Sequence, residues 1–189
     1  MFNRIVRALK MDKTIFAEVA KDTSLMNEAI LIVVIVTVVG ALGSLFLSIA
    51  VFGIGLLSFI LAIINGIAIG WILWSWVSAW VAKKWQGGNA TFQEMLRGFA
   101  YATTPRIVGI LGFIPILGWL ISFAGSVYSL YLAFLAIKQI QVFDNQKAAI
   151  NVAIGWLIFL VVGFIISGII GAAVAAATLG LASGFINSL

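Results

Sequence analysis

The sequence predicts an all-α polytopic integral membrane helical bundle, and three observations carry that prediction. From Ala29 to Ala82 the chain has no Asp, Glu, Lys, Arg or His, and after Lys147 it has none through Leu189. Charged residues are 9% of the 189 and hydrophobic ones 63%, so hydrocarbon is the natural solvent for most side chains. Apolar runs such as residues 30–36 do not alternate with polar positions, which argues against a membrane β-barrel and leaves helices as the spanning architecture.

Residues 1–28 form a separate segment. Phe2, Ile5, Val6 and Leu9, then Ile15, Phe16, Val19 and Ala20, recur at helical spacing among alternating charges, which predicts two short amphipathic helices. Residues 11–14 break the stripe with Asp12 or Thr14 as N-cap, and Asp22-Thr23-Ser24 caps the next helix. The segment is too polar to cross and is expected in the headgroup plane, with packing beneath the bundle equally compatible. Its apolar run starts too late for a signal peptide.

Residues 29–189 read as one transmembrane domain of about five spans, near 29–50, 56–82, 98–114, 116–137 and 148–170. The first two join through an uncharged turn at 52–55. Lys83 and Lys84 stop the second, with Trp80 and Trp85 as interfacial anchors. Thr91 and Glu94 form a capping box that opens a helix with Phe92, Met95, Leu96, Phe99 and Thr103 on one face. Pro115, between Gly112 and Gly118, turns the third span into the fourth, and a polar loop at 138–147 precedes the fifth. The Ala- and Gly-rich tail at 172–189 leaves a sixth membrane segment open. Every Lys and Arg lies in the N-terminal segment, in 83–106 or in 138–147. Five crossings put all three regions in the cytoplasm of a cell-membrane protein, with the N-terminus inside and the C-terminus outside.

Much chemistry is excluded by composition. With no Cys and no His the chain lacks thiolates, the commonest transition-metal ligands and the usual neutral-pH base, so no metal or cofactor site is expected. The net charge of +5 follows from topology rather than nucleic-acid binding. Glu94 with Asp144 is the one conceivable acid–base pair, and loop carboxylates are ordinarily just solvated.

The residues singled out are therefore few. Small residues recur every four positions (Gly40, Ser44, Ser48; Gly66, Gly70; Gly118, Ser122, Ser126; Gly125, Ser129, Ala133), the spacing that lets membrane helices approach closely within one bundle. Trp71, Trp74, Trp76 and Trp80 crowd one helix and suit packing and anchoring, with an aromatic-lined cavity as the sharper alternative. Asn65 is expected to hydrogen-bond across helices. Arg106 is the one ionisable residue inside an apolar stretch; it follows Pro105 and lies a few residues past the cytoplasmic edge, where snorkelling is expected.

The run Gly98-Phe99-Ala100-Tyr101-Ala102-Thr103-Thr104-Pro105, then Ile114-Pro115-Ile116-Leu117-Gly118, Ala136 and Lys147-Ala148, resembles the Yip domain family of Ypt/Rab-interacting-protein-like membrane proteins, in a prokaryotic form. The resemblance spans almost the whole chain and implies a five-span bundle with a cytosolic N-terminus. The Asp-Leu-Tyr-Gly-Pro motif of eukaryotic relatives is missing, so GTPase binding is not implied. The expected function is a non-enzymatic scaffold or adaptor that engages a membrane protein or lipids through its cytoplasmic face, with Glu94, Arg97, Asp144 and Lys147 in the engaging loops. A small permease with a polar path near Asn65 and Arg106 is the alternative. For the topology, a single cysteine at Gly88 of this Cys-free chain should be shielded from impermeant reagents in intact cells; labelling there would overturn it.

Overall fold

The structure, a computed structural model, describes residues 1–52 and 55–186. Gly53 and Ile54, in the first predicted turn, lie outside the described residues, as do the side chains of Ser44 and Ser48. Helices α1 (Phe2–Leu9) and α2 (Lys13–Lys21) lead through a 3-10 turn (Thr23–Leu25) into α3 (Met26–Phe52). The next leg is α4 (Gly55–Ile64), a π-helical stretch (Asn65–Leu73), α5 (Trp74–Val81) and a π turn (Ala82–Gln86). Then come α6 (Phe92–Ala102), a 3-10 segment (Thr104–Phe113), α7 (Leu117–Ile140) and α8 (Asn145–Ile186). No strand occurs among the described residues.

Four helices are long and apolar enough to cross a bilayer: Thr23–Gly43, Phe59–Gln86, Leu117–Ile140 and Asn145–Ile166. The chain is thus an all-α membrane bundle. The stretch predicted as the third span, 98–114, is not one helix. Pro105 has no backbone N–H, and the Thr103 and Thr104 hydroxyls donate to the Ala100 and Tyr101 carbonyls, so the α-helical ladder ends and 3-10 geometry takes over. Ten residues at about 2 Å each extend this segment by roughly 20 Å, so it rises farther than an α-helix of equal length. The tail does not fold back as a further hairpin, because α8 runs unbroken through Gly171 to Ile186.

Glycine contacts fix the direction of this third leg. Along α3, Glu28 lies by Tyr101, Gly40 by the Arg106 carbonyl and Gly43 by Gly109, so the two rise together. Along α7, Gly118 meets Leu111, Gly125 meets Pro105 and Val108, and Ser129 Oγ donates to the Ala102 carbonyl at 2.8 Å, so α7 descends. The contacts are close enough to forbid a side chain. A Cβ on Gly43 would stand 2.2 Å from the Gly109 oxygen and one on Gly118 2.0 Å from the Leu111 oxygen. Between the legs, Leu117 N–H bonds the Pro115 carbonyl at 2.6 Å and holds Ile116 at φ 63, a strained γ-turn where Pro115 was expected to reverse the chain.

The N-terminal segment does not lie free in the headgroup plane. Ile15, Phe16 and Val19 of α2 are fully buried against α6 and α7, because the apolar face finds protein before lipid. Asp12 caps α2 as predicted; bonds from the Thr14 hydroxyl, from Arg7 and from the Thr14 amide hold its carboxyl down at about 2. Asp22 caps the following turn, and Thr91 with Glu94 closes the predicted capping box. Gly87 terminates the π turn in the left-handed region, at φ 74.

Gly88 is buried against Gln141 and Phe143, so a cysteine there would be shielded on either side of the membrane. Exposed Asn89 is the informative position for the labelling experiment. Replacing Gly118 with Ala should destabilise the protein by about 1 to 3 kcal/mol in a detergent melt, the usual effect of overpacking. Gly163→Ala, where a Cβ would meet nothing within 4 Å, should be neutral or slightly stabilising. Equal effects at the two sites would show that the Gly118 contact does not set the packing.

Candidate functional site

Two polar regions stand out, one at the charged end of the bundle and one inside it. At the charged end Glu28, the last charge before the apolar run, accepts from Arg4 Nε at 3.0 Å and from the Tyr101 hydroxyl, and lies 3.3 Å from the N-terminal amine. Tyr101, a candidate from the sequence, is fully buried and closes this latch. Arg97 is only 3% exposed, which corrects its assignment to a partner-engaging loop. Its Nε donates to the Val19 and Ala20 carbonyls at 3.2 and 3.0 Å, so a cation satisfies the C-terminal end of α2, where the helix dipole favours positive charge.

Further ties join the remaining loops. The Tyr128 hydroxyl donates to the Leu9 carbonyl, and Gln141 Oε1 accepts from the Ala90 amide at 3.1 Å. Lys147, another candidate, donates to the Gln86 carbonyl at 3.1 Å and lies over the Phe143 ring. Asn151, fully buried, donates to the Ser78 carbonyl at 3.0 Å and to Gln86 Oε1 at 2.9 Å. The exposed charges at this end include Lys10, Lys13, Lys21, Lys83 and Lys84, with Glu18, Asp22 and Asp144, and they stand beside exposed Phe2, Met11, Trp85 and Val142.

Inside the bundle a cavity of about 250 Å³ is bordered by α3, the π stretch, the 3-10 segment and α7. Its polar lining is Thr37, Thr103, Arg106, Ser122 and Ser126, beside Gly40, Gly66 and Gly109. Thr103 and Ser126 spend their hydroxyl protons on backbone carbonyls. Among the described residues Ser122 Oγ, which is buried, has no hydrogen-bond partner, and Thr37 makes no hydrogen bond.

Arg106 departs from expectation. Its Nη1 lies 3.2 Å from where a Cβ on Gly70 would be, and its guanidinium carbon is 5.9 Å from the Phe159 ring centroid. Gly70 is twelve residues from Ala82 and Phe159 twelve from Lys147, about 18 Å in each case at helical rise. That exceeds half of a hydrocarbon core of about 30 Å. The side chain is directed across the bundle rather than back to the headgroups, so it does not snorkel. A charge at such depth costs about 2.5 to 3.5 kcal/mol on insertion scales, and the one described contact that offsets it is the Phe159 ring.

The other candidates divide between packing and position. Asn65 opens the π stretch but makes no hydrogen bond to a described residue, so the expected interhelical bond is absent there. Neither Tyr101 nor Asn65 lines the cavity with Arg106. Pro105 and Gly118 act through backbone packing. Trp71 donates to the Leu96 carbonyl at 2.8 Å and Trp74 packs edge-on to Phe99 at 5.5 Å, whereas Trp76 and Trp80 face outward, so the four tryptophans do not share one cavity. Sequence reasoning missed Glu28, Asn151, Thr37 and the buried role of Arg97. Glu28's place at the edge of the apolar run was the one available signal.

The clamp on α2 can be tested directly. Arg97→Met should lower stability by about 1.5 to 3 kcal/mol, the worth of hydrogen bonds to a charged group, and should expose the Lys21 peptide bond to trypsin. Unchanged melting and unchanged cleavage would show that α2 is held by apolar contacts alone.

No curated protein and no solved structure matches the chain. A family model for the Yip1 domain matches residues 12–167, from the cap of α2 into the second half of the apolar run of α8. That match takes in Glu28 and Tyr101 of the latch, the 3-10 leg and the cavity, and with it the chain is a multi-pass membrane protein of the Yip1 domain family.

Proposed function

We propose that this protein is a non-enzymatic scaffold or adaptor of the cell membrane, with a cytoplasmic N-terminus and an outward C-terminus. It engages another membrane protein or lipid headgroups through its cytoplasmic face. The observation that carries the reading is the set of ties across that face. Glu28 joins α1 to the bundle through Arg4, Arg97 joins α2 to α6, and Gln86 joins the 82–90 loop to α8 through Lys147. Segments tied in this way present exposed lysines and carboxylates in fixed relation, and a fixed surface loses less entropy on binding than flexible loops do. Membrane trafficking and transporter assembly are the settings this role suits.

The cavity beside Arg106 favours the second reading, a small permease. Co-purification in mild detergent separates the two. The adaptor should bring down a stoichiometric membrane protein, and Lys83→Glu with Lys84→Glu should weaken that capture while leaving melting unchanged. Solute flux in liposomes holding this protein alone, with no captured partner from cells, would overturn the adaptor and support the permease.

A further inference from the structure

The chain has six acidic side chains, Asp12, Glu18, Asp22, Glu28, Glu94 and Asp144, all at the charged end, with Glu28 in the first turn of α3 and Glu94 in the first turn of α6. Glu28 is committed to Arg4 and the amino terminus, and Asp12 and Glu18 to Arg7. No carboxylate among the described residues pairs with Arg106, which leaves its counter-charge to be supplied from outside them. A guanidinium is the one cation that cannot avoid the problem by losing its proton.

The surroundings say what kind of group fits. The cavity is partly open at the protein surface, and its volume of about 250 Å³ is roughly eight times a water's share of the liquid, about 30 Å³. That holds a tetrahedral anion with some water but not a helix, which is about 10 Å across. Two hydroxyls in its wall, Thr37 and Ser122, have no partner among the described residues, and the Ser122 oxygen is buried. Arg106 lines the same cavity as these hydroxyls, and a planar fork of N–H donors together with hydroxyls is a set that matches the several oxygens of a phosphate.

We propose that the cavity beside Arg106 is a binding site for one phosphate-type anion, carried by a phospholipid headgroup or free in solution, with Arg106 as its counter-charge and Ser122 and Thr37 as hydroxyl donors. The site lies about 18 Å from the lysines of the charged end, so a headgroup bound there is far below its normal plane. The proposal does not rest on the adaptor reading.

The test uses the full chain in a neutral detergent and follows its melting temperature with inorganic phosphate, with dioctanoyl phosphatidylglycerol, or with uncharged dioctanoylglycerol. A phosphate-bearing compound should raise the melting temperature by several degrees and the uncharged one should not. Stabilisation by inorganic phosphate identifies a free-anion site; stabilisation by the phospholipid alone identifies a lipid site. Arg106→Gln should abolish the shift, Ser122→Ala should weaken half-saturation several-fold, and Lys83→Gln with Lys84→Gln should leave it intact. If Arg106→Gln does not fold, Arg106→Lys replaces it, with at least a ten-fold loss expected because an ammonium lacks the planar fork. The proposal is overturned if neither compound shifts the wild type, or if the shift survives the Arg106 substitution. It is equally overturned if Arg106→Gln releases a co-purifying protein without changing the lipid response, since the counter-charge would then be a protein carboxylate.

Discussion

The close backbone approach of the 3-10 segment to α3 on one side and α7 on the other is the contact on which the remainder depends. Lipid tails are as apolar as the side chains they touch, so burial of apolar surface does little to draw these helices together. Van der Waals contact has to do it, and Gly40, Gly43, Gly118 and Gly125 supply the flat surfaces. Tyr101 reaches Glu28 because the leg stands against α3, and Arg97 reaches the end of α2 because the same leg sets the position of α6. A methyl group added at the Gly118 contact would push the leg outward and loosen both.

The charged end solves a different problem. Helix ends leave carbonyls and amides without partners, and near a membrane surface they cannot all count on water. Side chains do the work here. Arg97 takes the α2 carbonyls, Asp144 accepts from the Lys147 amide at the start of α8, and Thr91 with Glu94 closes α6. Most of these partners lie on a different element from the group they satisfy or at the start of a helix, so satisfying the backbone also fastens the segments together. The same bonds that make the end stable make it a fixed surface.

Features set by neighbours in sequence were legible before the structure. The uncharged runs mark the membrane helices, and the caps at Asp12, Asp22 and Thr91 depend on residues only two or three positions away. Features set by distant contacts were not. Arg97 falls outside the apolar stripe of α6 and reads as solvated, because α2, which covers it, lies 77 residues earlier. Arg106 reads as interfacial when counted from Arg97 along one helix. Its depth follows from Gly70 and Phe159, on two other legs. The 3-10 and π forms themselves escape a hydropathy pattern, since an uncharged run looks the same whatever its pitch.

Both forms border the cavity, the π stretch through Gly66 and the 3-10 segment through Arg106 and Gly109. A π stretch is wider than an α-helix and a 3-10 segment narrower, so neither offers its neighbours the regular ridges and grooves of an α-helix. The legs cannot close the resulting gap by moving together. Below it, Tyr101 and Glu28 set the spacing, and above it the Gly43 and Gly118 contacts already bring backbones as near as they can come. A gap held open between two fixed contacts and lined by Arg106, Thr37 and Ser122 is a poor place for vacuum or lipid tail, because either leaves the Ser122 oxygen without a partner. The gap persists because these contacts fix its two ends, and it is polar because Arg106, Thr37 and Ser122 line it.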